Sequence, residues 1–170
     1  MKINKLFTLL ALLVATSALA QDVHYNYDRD ANFVAYKTYQ WSDSSGKTTD
    51  PLLDQDIRRA IDDQLAQKGL RRVETGGDLQ ISYRTAIDRE RQLDAWGTGP
   101  RWSAMAHANT STVEVGTLVV SLYVPATKQL VWRGRVTKTL NPKQDPDKNY
   151  KNLEKAMAKL LKDYPPKSNN

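Results

Sequence analysis

The sequence predicts an α+β domain, a largely antiparallel sheet of about five or six strands with two helices packed on one face. Three observations carry that expectation. Apolar and polar residues alternate with a period of two between 79 and 88, and again in two runs, 117–124 and 129–136, joined by a short turn. Two segments, each opened by Asp-Pro, place apolar residues at helical spacing. The order is strand, strand, helix, two strands, long loop, hairpin, helix, and it lacks the regular strand–helix alternation of a parallel doubly wound sheet.

The first twenty residues stand apart. Lys2 and Lys5 precede the apolar run Leu6 to Ala15, and Ala18-Leu19-Ala20 offers small residues before Gln21, the pattern of a cleavable signal peptide. The expected organisation is a signal segment at 1–20, a single domain at 21–166 and a frayed tail at 167–170.

Within the expected domain, Val23 to Tyr27 reads as a short aromatic-rich strand, stopped by the polar stretch Asp28 to Asn32. Tyr36 to Trp41 alternates, and either face could be the inner one. Asp50-Pro51 is a helix start: the Asp side chain caps free N–H groups, and Pro fits the first turn. Leu53, Ile57, Ala60, Ile61 and Leu65 then form one stripe, and Lys68-Gly69 ends it, because glycine enters the left-handed conformation without a Cβ penalty. Leu70 to Val73 re-enters the sheet and Gly76-Gly77 turns. Leu79, Ile81, Tyr83, Thr85 and Ile87 give a strand with one buried face.

Residues 89–112 break the pattern with Gly97, Gly99, Pro100 and two tryptophans. A loop this long inside a domain is uncommon, so the stretch is read as a mobile insertion, a binding loop or a hairpin extension with irregular strands. The hairpin 117–136 follows, with Leu118, Val120, Leu122 and Val124 expected on one face together with Leu130, Trp132 and Val136. Asp145-Pro146 repeats the helix start, and Tyr150, Leu153, Met157, Leu160, Leu161 and Tyr164 form its stripe before Pro165-Pro166.

The chemical inventory is sparse. With no Cys, the chain forms no disulfide, thiolate metal site or cysteine nucleophile, and it offers only His24 and His107 as imidazoles. His107 has Ser103 and Ser111 nearby in sequence but no Gly-x-Ser-x-Gly elbow. A metal site built from both histidines with Asp22 or Asp28 has no support in their spacing. Asp88 paired with Glu90 or Asp94 could serve as acid and base, yet such groups are ordinary at a strand end. No cofactor is expected and no catalytic residue is assigned.

Two features are left as candidate contacts. Trp96 and Trp102 flank Gly97-Thr98-Gly99-Pro100, where large aromatics could stack on a sugar or fold back as a lid on the sheet. Charge gives the other. Residues 21–137 hold 15 basic and 15 acidic side chains, whereas 138–170 hold eight lysines and four acids. On a helix at ~100° per residue, Lys148, Lys151, Lys155, Lys159 and Lys162 fall within roughly 80° of arc, opposite the apolar stripe. Such a ridge could meet an anionic surface or an acidic protein, or could simply be solvated.

Taken together, Tyr36 to Trp41, the helix from Pro51 closing on Lys68-Gly69-Leu70, the hairpin Thr117 to Gly134 and the last helix resemble domain-of-unknown-function family 4136, found in exported bacterial envelope proteins. The resemblance spans nearly the whole of the expected domain in the same order. It implies an envelope location and supplies no established catalytic or binding residue to carry over. Many members look like lipoproteins with a cysteine after the signal, where this chain has Ala20-Gln21, and the position of Ser121 is often acidic in the family. The resulting expectation is a soluble, periplasmic, non-enzymatic domain that binds a protein or envelope surface component. The alternative is a small-ligand or glycan-binding domain centred on Trp96 and Trp102. Nucleic acid is not an expected partner, since the basic excess is modest and no recognition motif occurs. No transmembrane helix is expected after signal cleavage.

Overall fold

The computed structural model describes residues 22–43, 45–46, 50–95, 108–141 and 145–167, with backbone alone between 90 and 112. The expected signal segment at 1–20, Trp96, Trp102 and the end of the expected tail lie outside these residues. The architecture is α+β, as expected: two helices over a six-stranded mixed sheet of order β1-β6-β5-β4-β2-β3. The strands are β1 (Asp22–Tyr27), β2 (Thr38–Trp41), β3 (Arg71–Arg72), β4 (Leu79–Ala95), β5 (Ala108–Val124) and β6 (Gln129–Thr139). The helices are α1 (Pro51–Gln67) and α2 (Pro146–Leu160).

Both Asp-Pro signals open helices in the same way. Asp50 Oδ1 accepts from the N–H groups of Leu52 (2.9 Å) and Leu53 (3.3 Å), and Asp145 Oδ1 accepts from Asp147 (2.9 Å) and Lys148 (3.4 Å). Each cap satisfies backbone donors that have no partner inside the helix. Gly69 ends the turn after α1 at φ +85°, in the left-handed region.

Strands β1, β6, β5 and β4 are antiparallel, whereas β2 runs parallel to both β3 and β4. Parallel neighbours need a long crossover, and α1 supplies it between β2 and β3. Asp78 secures this corner: its Oδ2 accepts from the backbone N–H of Lys37 (2.9 Å), and from the N–H and hydroxyl of Thr38 (both 2.8 Å).

Period-two alternation sorts the sheet into two faces. Leu79, Ile81 and Tyr83 of β4 lie beside Leu118, Val120 and Leu122 of β5, and Trp132 and Val136 of β6 continue the layer; all are buried. Ile57, Ala60, Ile61 and Leu65 of α1, and Met157, Leu160 and Leu161 at the end of α2, close over it. Tyr39 and Trp41 of β2 join this side, which resolves the face of that strand. Gly134 is bare because of close packing. A Cβ there would lie 2.7 Å from Leu160 Cδ1 and would run into the Trp132 ring.

Two sequence expectations need correction, and one open reading is decided. Leu130 does not share the Trp132 face: a register shift at Leu122/Tyr123 pairs Leu122 with Trp132 but Tyr123 with Leu130, and Val131 is taken into the core at 1% exposure. A bulge of this kind inserts one residue and reverses the alternation beyond it. Thr85 and Ile87 are exposed, Ile87 at 62%, so the buried stripe of β4 ends at Tyr83. The 89–112 stretch, left open between a mobile insertion, a binding loop and a hairpin extension, is a hairpin extension over its described part: β4 and β5 pair from Gln80↔Tyr123 out to Ala95↔Ala108. Residues 96–107 lie outside the described part.

Candidate functional site

The most polar part of the interior lies where α1 meets the sheet. Asp54 and Asp62, eight residues apart on α1, each take a tyrosine hydroxyl from the sheet. Asp62 Oδ1 accepts from Tyr39 (2.6 Å) and from Trp41 Nε1 (3.0 Å), while its Oδ2 accepts from Arg72 (3.1 Å). Asp54 Oδ1 accepts from Tyr83, and Oδ2 accepts from Arg58 Nε at 2.9 Å. The same guanidinium donates to the carbonyl of Ser45 (3.0 Å) and lies over the Trp41 ring, 4.6 Å from its centroid. Ser45 Oγ in turn accepts the Tyr83 N–H at 3.0 Å.

Burial, and then the hydrogen bond and charge of the facing carboxylate, push both Tyr39 and Tyr83 far above the ordinary phenol range. Both phenols therefore remain neutral donors, and each carboxylate is engaged by an arginine as well. Groups committed in this way hold α1 to the sheet and are poor candidates for proton transfer, which needs a pKa near working pH. A hollow of about 480 Å³ opens beside Asp62 and Arg72, whose charges already pair across it. These clasps escape sequence reading because their partners are 23 and 29 residues apart.

The lysine ridge is the feature anticipated from sequence that the fold assembles. Lys148, Lys151, Lys155 and Lys159 are exposed along α2. Lys162 falls beyond the helix end, in the turn that follows, and its carbonyl accepts from Lys68 Nζ at 2.7 Å. The ridge therefore continues into Lys68 of the loop after α1. It also widens sideways: burial, followed by the repulsion of Lys155 and Lys159, holds Lys138 of β6 below the usual lysine range. Lys138 was not anticipated, because its proximity to α2 depends on tertiary packing. Among the described residues none of these lysines forms an ion pair with a carboxylate.

Trp96, Trp102 and His107 lie outside the described residues. His24 sits at the β1 edge with Nε2 2.9 Å from Asp22 Oδ1, both largely exposed. Among the described residues no cluster of three or more His, Cys, Asp or Glu is gathered as a metal site would require, and no helix is long and apolar enough to cross a membrane.

The arrangement defines a small α+β domain with satisfied internal carboxylates and an unpaired cationic flank. The chain belongs to DUF4136, a domain of unknown function, whose family model matches residues 23–166. No curated protein sequence matches it. Its fold is similar to that of a PDZ domain protein from Parabacteroides distasonis ATCC 8503, with a TM-score of 0.57 and 15% identity over 86% of this chain. This chain spans only 36% of that protein. It is also similar to PelC from Paraburkholderia phytofirmans, solved as a dodecamer, with a TM-score of 0.50 and 12% identity over 84% of this chain and 95% of that one. At such identities the likeness is one of fold.

Proposed function

We propose that this chain is an exported, non-enzymatic domain of the bacterial cell envelope that docks on an anionic envelope surface through its α2 flank. The observation carrying the proposal is the ridge of exposed lysines that, among the described residues, have no carboxylate partners, joined by Lys138. Export is supported by the N-terminal pattern from Lys2 to Ala20 and by the resemblance to envelope proteins.

The residue type favours a fluid surface over a shaped acidic pocket. Every cation of the ridge is lysine, a hydrated point charge on a flexible stem, whereas bidentate recognition of a fixed carboxylate favours the planar fork of arginine. A lysine close to an anionic bilayer contributes about 1 kcal/mol, so several acting together give salt-sensitive recruitment without any pocket. The apolar stripe of α2 is spent on the core, with Met157 and Leu160 fully buried, so contact through this flank would be electrostatic rather than by insertion.

Co-sedimentation with vesicles containing phosphatidylglycerol tests this, at low and at near-physiological salt. Wild type should pellet at low salt and less so as the Debye length shrinks to ~8 Å. The Lys151→Glu/Lys155→Glu/Lys159→Glu variant should stay in the supernatant at both salts, with an unchanged melting midpoint. Equal sedimentation of the two proteins would reduce the ridge to a solvated surface.

A further inference from the structure

The two helices cover one face of the sheet, and the opposite face carries its own organised chemistry. Strand register places Gln80 beside Tyr123, Ser82 beside Ser121, and Ser121 in turn beside Arg133, on that uncovered side. Ser42, which follows β2, and Lys128, in the β5–β6 turn, close the ends of a trough of about 340 Å³ lined by Ser42, Gln80, Ser82, Arg84, Tyr123 and Lys128. Among the described residues no carboxylate lines it. Among the described residues Arg84, Lys128 and Arg133 form no ion pair.

Arg133 behaves unusually for a surface arginine. Its Nε donates to Ser121 Oγ at 3.2 Å, and its Nη2 donates to Tyr123 Oη at 3.4 Å, so the guanidinium is laid along a floor of neutral hydroxyls. Ser121 is only 5% exposed, which makes this contact part of the sheet surface rather than a loose side-chain encounter. Burial alone would raise the Tyr123 phenol. Hydrogen bonds from Arg133, Ser121 and Ser82, with the Arg133 charge, reverse that and hold it below the ordinary phenol value. The Arg133 charge thus sits beside Tyr123, just outside the lining of the trough. At the rim, Lys128 Nζ reaches Gln80 Oε1 at a long 3.5 Å, and Arg84 is exposed.

We infer that this trough binds an anionic sugar unit, one bearing a carboxylate or a phosphate. The lining cations Arg84 and Lys128 suit the acid group, with Arg133 behind Tyr123 adding its charge, because guanidinium forks match carboxylate and phosphate oxygens in pairs. The hydroxyl and amide groups of Ser42, Gln80, Ser82 and Tyr123 can both donate and accept, as sugar hydroxyls require. The volume is at the small end of ligand sites, larger than a lone ion needs and suited to about one ring. The trough lies across the sheet from the α2 ridge, so neither surface depends on the other.

Isothermal titration of the mature chain with glucuronate, glucose 6-phosphate, glucose and inorganic phosphate tests the inference. Glucuronate or glucose 6-phosphate should bind, and comparison of the two identifies the preferred acid. Glucose and inorganic phosphate should each bind at least about tenfold more weakly, since each satisfies half of the lining. Arg84→Gln/Lys128→Asn should weaken the acidic sugar about tenfold or more with the fold intact, Asn being chosen because residue 128 has φ +58°. The triple lysine-to-glutamate ridge variant should bind it as wild type does. The inference is overturned by no heat from either acidic sugar at millimolar concentration, by inorganic phosphate binding as tightly as the sugars, or by a double variant that binds unchanged.

Discussion

Removing Trp132 would test the inner face of the sheet most directly. The side chain is 1% exposed, stacks on Tyr25 at a centroid distance of 6.4 Å and meets Tyr164 edge-on at 5.8 Å. Truncating a buried Trp to Ala costs about 3–5 kcal/mol, and loss of two aromatic pairs puts Trp132→Ala towards the upper end. For a chain of this size each kcal/mol lowers the melting midpoint by about 2–4 °C, so a fall of about 10–20 °C is expected by far-UV circular dichroism. Trp132→Phe separates packing from polarity. Among the described side chains, Trp132 Nε1 is buried with no hydrogen-bond partner, a deficit of about 1–3 kcal/mol in the native protein. Phenylalanine removes that donor while giving up part of the ring volume, so the two effects oppose and the midpoint should stay within about 4 °C of wild type. An unchanged midpoint in the alanine variant would place Trp132 on the wrong face. A phenylalanine variant as damaged as the alanine one would show that Nε1 is satisfied, by water or otherwise, and that volume alone decides.

Two further perturbations probe the joints around α1. Asp62→Ala strands the Tyr39 hydroxyl and the Trp41 N–H together, and should cost about 2–3 kcal/mol in urea unfolding, whereas Asp63→Ala at the exposed neighbouring position should stay within about 0.5 kcal/mol; equal effects would deny the clasp. At the β2 corner, hydrogen bonds from Lys37 N–H, the Thr38 hydroxyl and Thr38 N–H hold the Asp78 carboxyl below its usual value. A carboxyl lowered by folding stabilises above its unfolded pKa of ~3.9, and that contribution disappears as pH falls through the lower folded value. Asp78→Asn should therefore lose stability at neutral pH and show a shallower loss as pH falls below about 4, measured as unfolding midpoints against pH; parallel acid limbs in the two proteins would count against it.

What was legible in the sequence was local. Each Asp-Pro start is a contact between neighbours, and the α1 stripe of Ile57, Ala60, Ile61 and Leu65 needs only the helical period, although Leu53, read into the same stripe, is 40% exposed. The missed features depend on distance or on loss of contrast. Parallel pairing of β2 with β4 joins residues about 40 positions apart, and nothing local encodes it. Beyond Tyr83, β4 leaves the cover of the helices, so neither face has to be apolar and the alternation that marks a strand fades into polar residues. The bulge before Val131 is equally silent, since an unbroken apolar pair Leu130-Val131 is compatible with either register.

Charge was only half legible for a related reason. Residues 21–137 carry equal numbers of acids and bases, which sequence arithmetic reads as neutral ground. Folding separates them. Asp54 and Asp62 turn inward on α1 and are consumed by tyrosines and arginines beneath the helices, while Arg84, Lys128 and Arg133 collect on the other side of the sheet, where Arg133 engages hydroxyls in place of a carboxylate. A neutral stretch thus yields a cationic surface once its acids are committed elsewhere. The α2 ridge needed no such partition, because its lysines follow one another on a single helical face and their excess survives any fold that buries Met157 and Leu160. The two surfaces differ in chemistry as they do in origin. Flexible lysines on a helix suit a diffuse anionic surface, whereas an arginine fixed over serine and tyrosine hydroxyls suits a ligand with defined shape.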